Sequence, residues 1–374
     1  METWSDMKRR LAIAFLLLAG CGRGKFEIGM NTGPAGADIA RMTASEIRQS
    51  QVAKDRRVDV RVAVQRAMVE NRATPAMFAL ALDSMANDED VAVIVSRFLD
   101  KETLAAIATL RAQQVPFLAT TPLPDGTLRA GGPGFAMVPS YGEQARFLAQ
   151  QAKPSDKIAI VHIDNAYGEG LTAALVNALK TAGVSAADVR RYEQSWDEPR
   201  MVALGTDLQQ TEHPTLVYFI GRAPSLELVW QPFRDAGTEV RVLGSDLVES
   251  PAVYDNPEGR FTGLRYVRYF DPKSLDNERM KDLHDRYAMW AMRGEMTGEI
   301  ALIYDAMMLT GEALRSGART RAEITTYFSE LGNTRPAFQG VTGPIAFTAD
   351  GSVARKLELA EVTNRGVVKA GDER

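Results

Sequence analysis

Cysteine is nearly absent: the 374-residue chain contains one, Cys21. No disulfide framework can therefore staple the fold. Histidine is scarce too, with only His162, His213 and His284, scattered and without cysteine partners, a poor inventory for zinc. The formal net charge is −4 with both signs interspersed, so the basic face that nucleic acid demands is missing. Catalytic signatures are also lacking. There is no Walker A stretch and no G-x-S-x-G elbow, and "GMNTGPAG" (29–36) does not have the G-x-G-x-x-G spacing of a dinucleotide loop. These absences argue against an enzyme and point to no cofactor. No stretch after Cys21 reads as the roughly 20 apolar residues that a membrane span needs, and no low-complexity segment or short repeat interrupts the chain.

The position of the lone cysteine carries information. Lys8, Arg9 and Arg10 precede an apolar run from Leu11 to Gly20. A basic segment, a short apolar run and small residues are the pattern of a secretory signal. Leu18-Ala19-Gly20-Cys21 looks like a bacterial lipobox, in which the thiol is acylated and the chain is cut just before it. The expectation is a signal peptide over 1–20 and a lipidated Cys21, with the remaining chain tethered by its acyl chains on the periplasmic side of a bacterial membrane. The other reading of Cys21 is a free thiol at the end of a core helix.

The roughly 350 residues that follow exceed what one core usually fills, so two domains are expected. Strand-like runs alternate with helical stretches: "KFEIGM" (25–30), "VDVRVAV" (58–64), "VAVIVS" (91–96), "VPFLAT" (115–120), "KIAIVHI" (157–163), "TLVYFI" (215–220) and "VRVLGSD" (240–246). Apolar residues at i, i+3 and i+4 predict helices between them. One covers 74–86, with Thr74 to cap and Pro75 at the first position. Another covers 168–182, with Gly183 to end it. Near-continuous apolar strands separated by helices imply parallel sheets covered on both faces. The alternation fills two blocks, 25–135 and 155–265. A Gly/Pro-rich crossing segment (129–144) separates them, and long helices are predicted at 276–294 and 297–317. The tail 338–362 reads as a turn and hairpin with Ala349-Asp350-Gly351 at the bend. Ligands of open α/β sheets bind beyond the carboxyl ends of the strands, so the candidate loops are 31–37, 96–102, 120–126, 164–169, 221–225 and 246–250.

In "KIAIVHIDNAYGEGLTAALVNALKTAG" (157–183), "VLGSDLVES" (242–250) and "FQGVTGPIAFTADG" (338–351), the chain resembles type I periplasmic binding proteins of the leucine/isoleucine/valine-binding family. The resemblance implies an α/β fold of two lobes, each a parallel sheet flanked by helices, joined by a multi-strand hinge. Lobe one would hold 22–140 plus 268–343, and lobe two 141–267 plus 344–374. It further implies a monomeric receptor that closes on a small-molecule solute and delivers it to the permease subunits of an ABC transporter. An envelope lipoprotein of this fold that regulates a protein partner without solute transport is the second class to weigh.

Carried over by the resemblance, Tyr167 of "AYGEG" matches a ligand-covering tyrosine, and Asp246 of "GSD" an acid that meets a ligand ammonium. From the residues alone, Tyr167 could equally pack at a domain rim, and Asp246 could cap the following segment. Arg222, beside a helix start, suits an anion, or is a solvated surface arginine. Asp100 reads as a helix cap or a cleft contact; Asn31 and Thr121 are chosen on position alone. The loop "SRFLDKET" (96–103) departs from the family, with Phe98 and Leu99 where hydroxyls hold an amino acid's carboxylate. A standard branched-chain amino acid is therefore not the expected ligand.

Overall fold

The computed structural model describes residues 25–50, 57–63, 67–68, 72–274, 277–291 and 296–371. Its first sheet has five parallel strands in the order β2-β1-β3-β4-β5: β1 (Lys25–Asn31), β2 (Arg57–Val62), β3 (Val91–Ser96), β4 (Phe117–Ala119) and β5 (Gly134–Ala136). Strand β3 is "VAVIVS", buried at every position, as a central strand covered on both faces must be. Alternate residues point to opposite sides. Phe26, Ile28, Val93 and Val95 share a core with α1 (Pro34–Gln49), α9 (Glu278–Trp290) and α10 (Gly298–Arg315). Val91, Ile94 and Phe117 face α2 (Pro75–Ala86) and α3 (Lys101–Ala112).

The second sheet runs β14-β13-β10-β9-β8-β6-β7. Its parallel part comprises β6 (Ile158–Ile163), β7 (Ala186–Tyr192), β8 (Leu216–Ile220), β9 (Arg241–Gly244) and β10 (Arg265–Arg268). Strands β13 (Glu358–Thr363) and β14 (Gly366–Lys369) add an antiparallel edge. Helices α4 (Tyr141–Ala149) and α5 (Ala166–Thr181) bury Leu148, Leu171, Leu175 and Leu179 on one face. Helices α6 (Glu198–Asp207) and α7 (Ala223–Asp235) bury Met201, Leu226 and Phe233 on the other. Local chemistry sets the helix ends. Thr74 accepts from the Met77 N–H to cap α2, with Pro75 at the first position. Asn165 caps α5 through the Gly168 N–H. A Cβ on Gly168 would lie 1.9 Å from the Ile163 carbonyl oxygen, so only glycine lets α5 start so close to the end of β6.

All seven predicted strands are present, shorter at some ends. The crossing segment 129–144 differs from expectation because its centre is β5, a fifth parallel strand. Strand β7, "AADVRRY", escapes the pattern because its residues are mixed and it lies on the outer edge of its sheet. The tail forms two pairings rather than one hairpin: β11 (Phe338–Gly340) with β12 (Gly343–Ile345), then β13 with β14. The bend at Ala349-Asp350-Gly351 is real, closed by a bridge between Phe347 and Val353, and it leans on β5, where the Ala136 N–H donates to the Gly351 carbonyl at 2.9 Å.

Phe347 and Val353 pack in the first core, while Leu357 and Leu359 pack against the second.

The return segment is pinned by a buried carboxylate. Asp305 on α10 accepts from Val341 N–H (2.8 Å), Thr342 N–H (2.9 Å) and the Thr342 hydroxyl (2.5 Å). Asp305→Ala would strand these donors and should lower stability in urea unfolding by about 3 kcal/mol or more. Asp305→Asn, which keeps an acceptor, should cost less.

Candidate functional site

In each sheet, crossovers leave in opposite directions from one pair of neighbouring strands, which opens a crevice at their carboxyl ends. These switch points are β1/β3 in the first sheet and β6/β8 in the second. A cavity of about 480 Å³ lies between the lobes, within the usual size of a small-molecule site. The first lobe contributes Gly36, Arg97, Thr121 and Glu299, the second Arg222, Asp246, Glu249 and Ser250, and the connecting segment Arg268 and Tyr269.

The lobes touch directly. The Tyr167 N–H, at the start of α5, donates to the Leu99 carbonyl at 3.0 Å. The Leu99 side chain is buried among Tyr141, Tyr167 and Leu171 of the second lobe. A Glu249 oxygen accepts from the Gly298 N–H at 2.7 Å, and Lys101 pairs with Glu169 at 2.9 Å. This is a closed arrangement of the lobes.

The six residues singled out in the sequence take different places. Thr121, Arg222 and Asp246 line the cavity together. Tyr167 is fully buried behind Asp246, to which its hydroxyl donates. Asn31 is buried at the end of β1; its amide donates to Ser96 Oγ (3.0 Å) and to the Arg97 carbonyl (2.9 Å), so it holds the peptide that carries Arg97. Asp100 is the N-cap residue of α3, in a capping box with Thr103. Cys21 and the whole of 1–20 lie outside the described residues.

Asp246 already carries protein donors on Oδ1. Besides Tyr167, it accepts from Gln144 Nε2 at 3.0 Å and from the Tyr269 hydroxyl. Burial pushes its carboxyl up, against the pull of these donors. Thr121 Oγ accepts from the Phe98 N–H at 2.9 Å, leaving its hydroxyl proton to give. The other anionic side chains of the lining are also committed. Glu299 pairs with Arg97 at 3.2 Å and accepts from the Thr32 hydroxyl at 3.2 Å.

Arg97, Glu299 and Glu249 were not foreseen. Arg97 stands one residue beyond β3, in the loop already suspected, but a lone arginine in a charged run has no sequence mark. Glu249 lies in the suspected loop 246–250, while Glu299 faces the cavity from the start of α10, a segment outside the candidate loops. Arg222 follows β8 by two residues and remains accessible within the cavity. Desolvation, and then the charge of Arg97, hold its guanidinium below the ordinary value.

Two α/β lobes with their switch points turned toward one lined cavity form the architecture of a hinged binding protein. The chain belongs to the periplasmic binding protein family: a model described as "Periplasmic binding protein" matches residues 30–367. No curated protein matches the chain. Among solved structures, the branched-chain amino acid binding protein LivJ of Streptococcus pneumoniae, in complex with isoleucine, is 18% identical with TM-score 0.74, covering 92% of this chain and 99% of that one. The leucine-binding protein LivK of Thermotoga maritima is 19% identical with TM-score 0.72, covering 93% and 97%. A solute-binding protein of R. palustris, in complex with benzoate, is 15% identical with TM-score 0.73, covering 94% and 96%. The fold is thus the type I, two-lobed form. Among the described residues no helix is long and apolar enough to cross a membrane.

Glu249 gives the site a pH signature. Burial pushes its carboxyl from 4.5 up to about 7; the charge of Asp246 adds to this, while the Gly298 N–H, the Tyr254 hydroxyl and the Arg268 charge oppose it. Between those values the native protein holds a proton that the unfolded chain has lost. Stability should therefore fall as pH rises through this window, by up to about 1.4 kcal/mol per pH unit. Urea midpoints measured from pH 5 to 8 should show this slope, and Glu249→Gln should flatten it.

Proposed function

We propose that this protein is a lipid-anchored solute receptor of the periplasm, tethered through Cys21, that closes over a small molecule and presents it to the permease of an ABC transporter. The observation that carries the reading is the cavity of about 480 Å³ lined from both lobes, spanned by direct bonds between them. A solute held there touches both lobes at once, so its binding energy differs between open and closed forms and shifts the population toward closure. Relatives of this fold solved with isoleucine and with benzoate support a small organic molecule as cargo. The lobes are taken as 22–140 with 268–353, and 141–267 with the tail from Leu357, because Phe347 and Val353 pack in the first core and Leu357 and Leu359 against the second.

Standard branched-chain amino acids are disfavoured. Phe98 and Leu99 occupy the loop where hydroxyls would hold the carboxylate, and both are buried. Asp246, the acid expected to meet an ammonium, already accepts from Tyr167 and Gln144.

The test is thermal unfolding across a metabolite panel, with small-angle scattering to follow closure. A solute at ~100 times its dissociation constant should add about 2.7 kcal/mol, and compaction should accompany it. A broad panel without any shift would remove the receptor reading. For the anchor, the wild-type chain expressed in a bacterial host should partition into the detergent phase, and Cys21→Ser should move it to the aqueous phase.

A further inference from the structure

The charged groups of the cavity are unequally free. Three arginines (Arg97, Arg222, Arg268) and three acids (Asp246, Glu249, Glu299) line it. Each acid has protein partners: Gln144, Tyr167 and Tyr269 on Asp246, the Gly298 N–H on Glu249, and Arg97 with Thr32 on Glu299. Arg268 has ion-pair contacts with Asp271 at 3.2 Å and with Glu358 at 3.5 Å, though its buried Nε and Nη1 make no hydrogen bond. Arg222 differs, because among the described residues no hydrogen bond or ion pair engages its side chain. Its nearest charges act at longer range: Arg97 disfavours its protonated form, while Glu299 and Asp100 favour it.

Arg222 is exposed toward the cavity, and its planar fork matches a carboxylate in two parallel bonds. Two hydroxyls stand in the same lining to complete an anion site. Thr121 keeps its proton to donate, and Ser250 Oγ is buried with no protein partner. The rest of the lining is mixed, apolar at Leu247, Phe270, Ile300 and Leu302 and hydroxyl-bearing at Thr120 and Thr297.

We propose that the cavity takes a small organic anion: a carboxylate on an apolar body, without an ammonium group, held by Arg222 with Arg97 beside it. This rests on the receptor reading above and narrows it. An ammonium would stand beside the Arg97 and Arg222 guanidiniums, facing acids that already carry protein donors.

The experiment titrates the purified protein with hexanoate, benzoate and phenylacetate against leucine, benzylamine and benzyl alcohol, by calorimetry and thermal shift. At least one carboxylate without an amine should bind, with affinity falling as salt rises, and leucine, the amine and the alcohol should not. Arg222→Gln should weaken that binding at least tenfold while circular dichroism shows the fold unchanged. Arg222→Lys, which keeps the charge but not the fork, should fall between. If Arg222→Gln does not fold, the lysine variant and the salt dependence still decide. Preferential binding of leucine, the amine or the alcohol would overturn the anion assignment and leave the receptor standing. Full affinity in Arg222→Gln would overturn the role of Arg222. A protein that compacts with none of the six, and with no member of the broad metabolite panel, would overturn both readings together.

Discussion

The closed state turns on Leu99. Its side chain sits in the second lobe's core while its backbone belongs to the loop after β3, and its carbonyl takes the Tyr167 N–H. Burying a leucine is worth roughly 2 kcal/mol, and here that energy is realised across the gap between lobes. The contact also fills the space in front of Tyr167 with protein. The cavity that remains lies toward Arg97, Arg222 and the connecting segment, and this decides which chemistry the cleft can meet.

Asp246 plays a complementary part. A carboxylate in this position would be costly to bury without donors; Gln144 from α4, Tyr167 from α5 and Tyr269 after β10 supply them. One side chain thereby joins helices on one face of the second sheet to the connecting segment. Tyr269 also packs against both cores, so the cluster sits where the lobes must flex. The acid that resemblance assigned to a ligand lines the cavity and at the same time accepts from Gln144 and Tyr167.

Both arginines owe their place to sheet topology. A parallel sheet covered on both faces must reverse its winding somewhere, and the loops at that point cannot be roofed by a crossover helix. Arg97 and Arg222 each follow a switch-point strand, one in each lobe, and closure turns them into the same cavity.

Much of this was legible along the chain. Buried strands such as "VAVIVS" and "TLVYFI" show as apolar runs, and Thr74-Pro75 and Gly183 mark helix ends through backbone chemistry that needs no distant partner. The candidate loops, with Thr121 and Arg222 in them, followed from strand order, and the two-lobed class and Asp246 from the resemblance. The edge strand β7 and the short β5 lack such runs, because a half-covered or three-residue strand need not be apolar throughout. The state of each site residue was beyond reach for a different reason. Whether Asp246 faces a solute or three internal donors, whether Leu99 plugs the opposite lobe, and whether Arg222 finds a partner depend on residues tens to hundreds of positions away. The amino-acid order by itself determined the alternation of strands and helices, since that is set by local periodicity and capping. Only the tertiary structure decided which charges are spent and which remain free, because pairing energy depends on distances that exist only once the lobes have met.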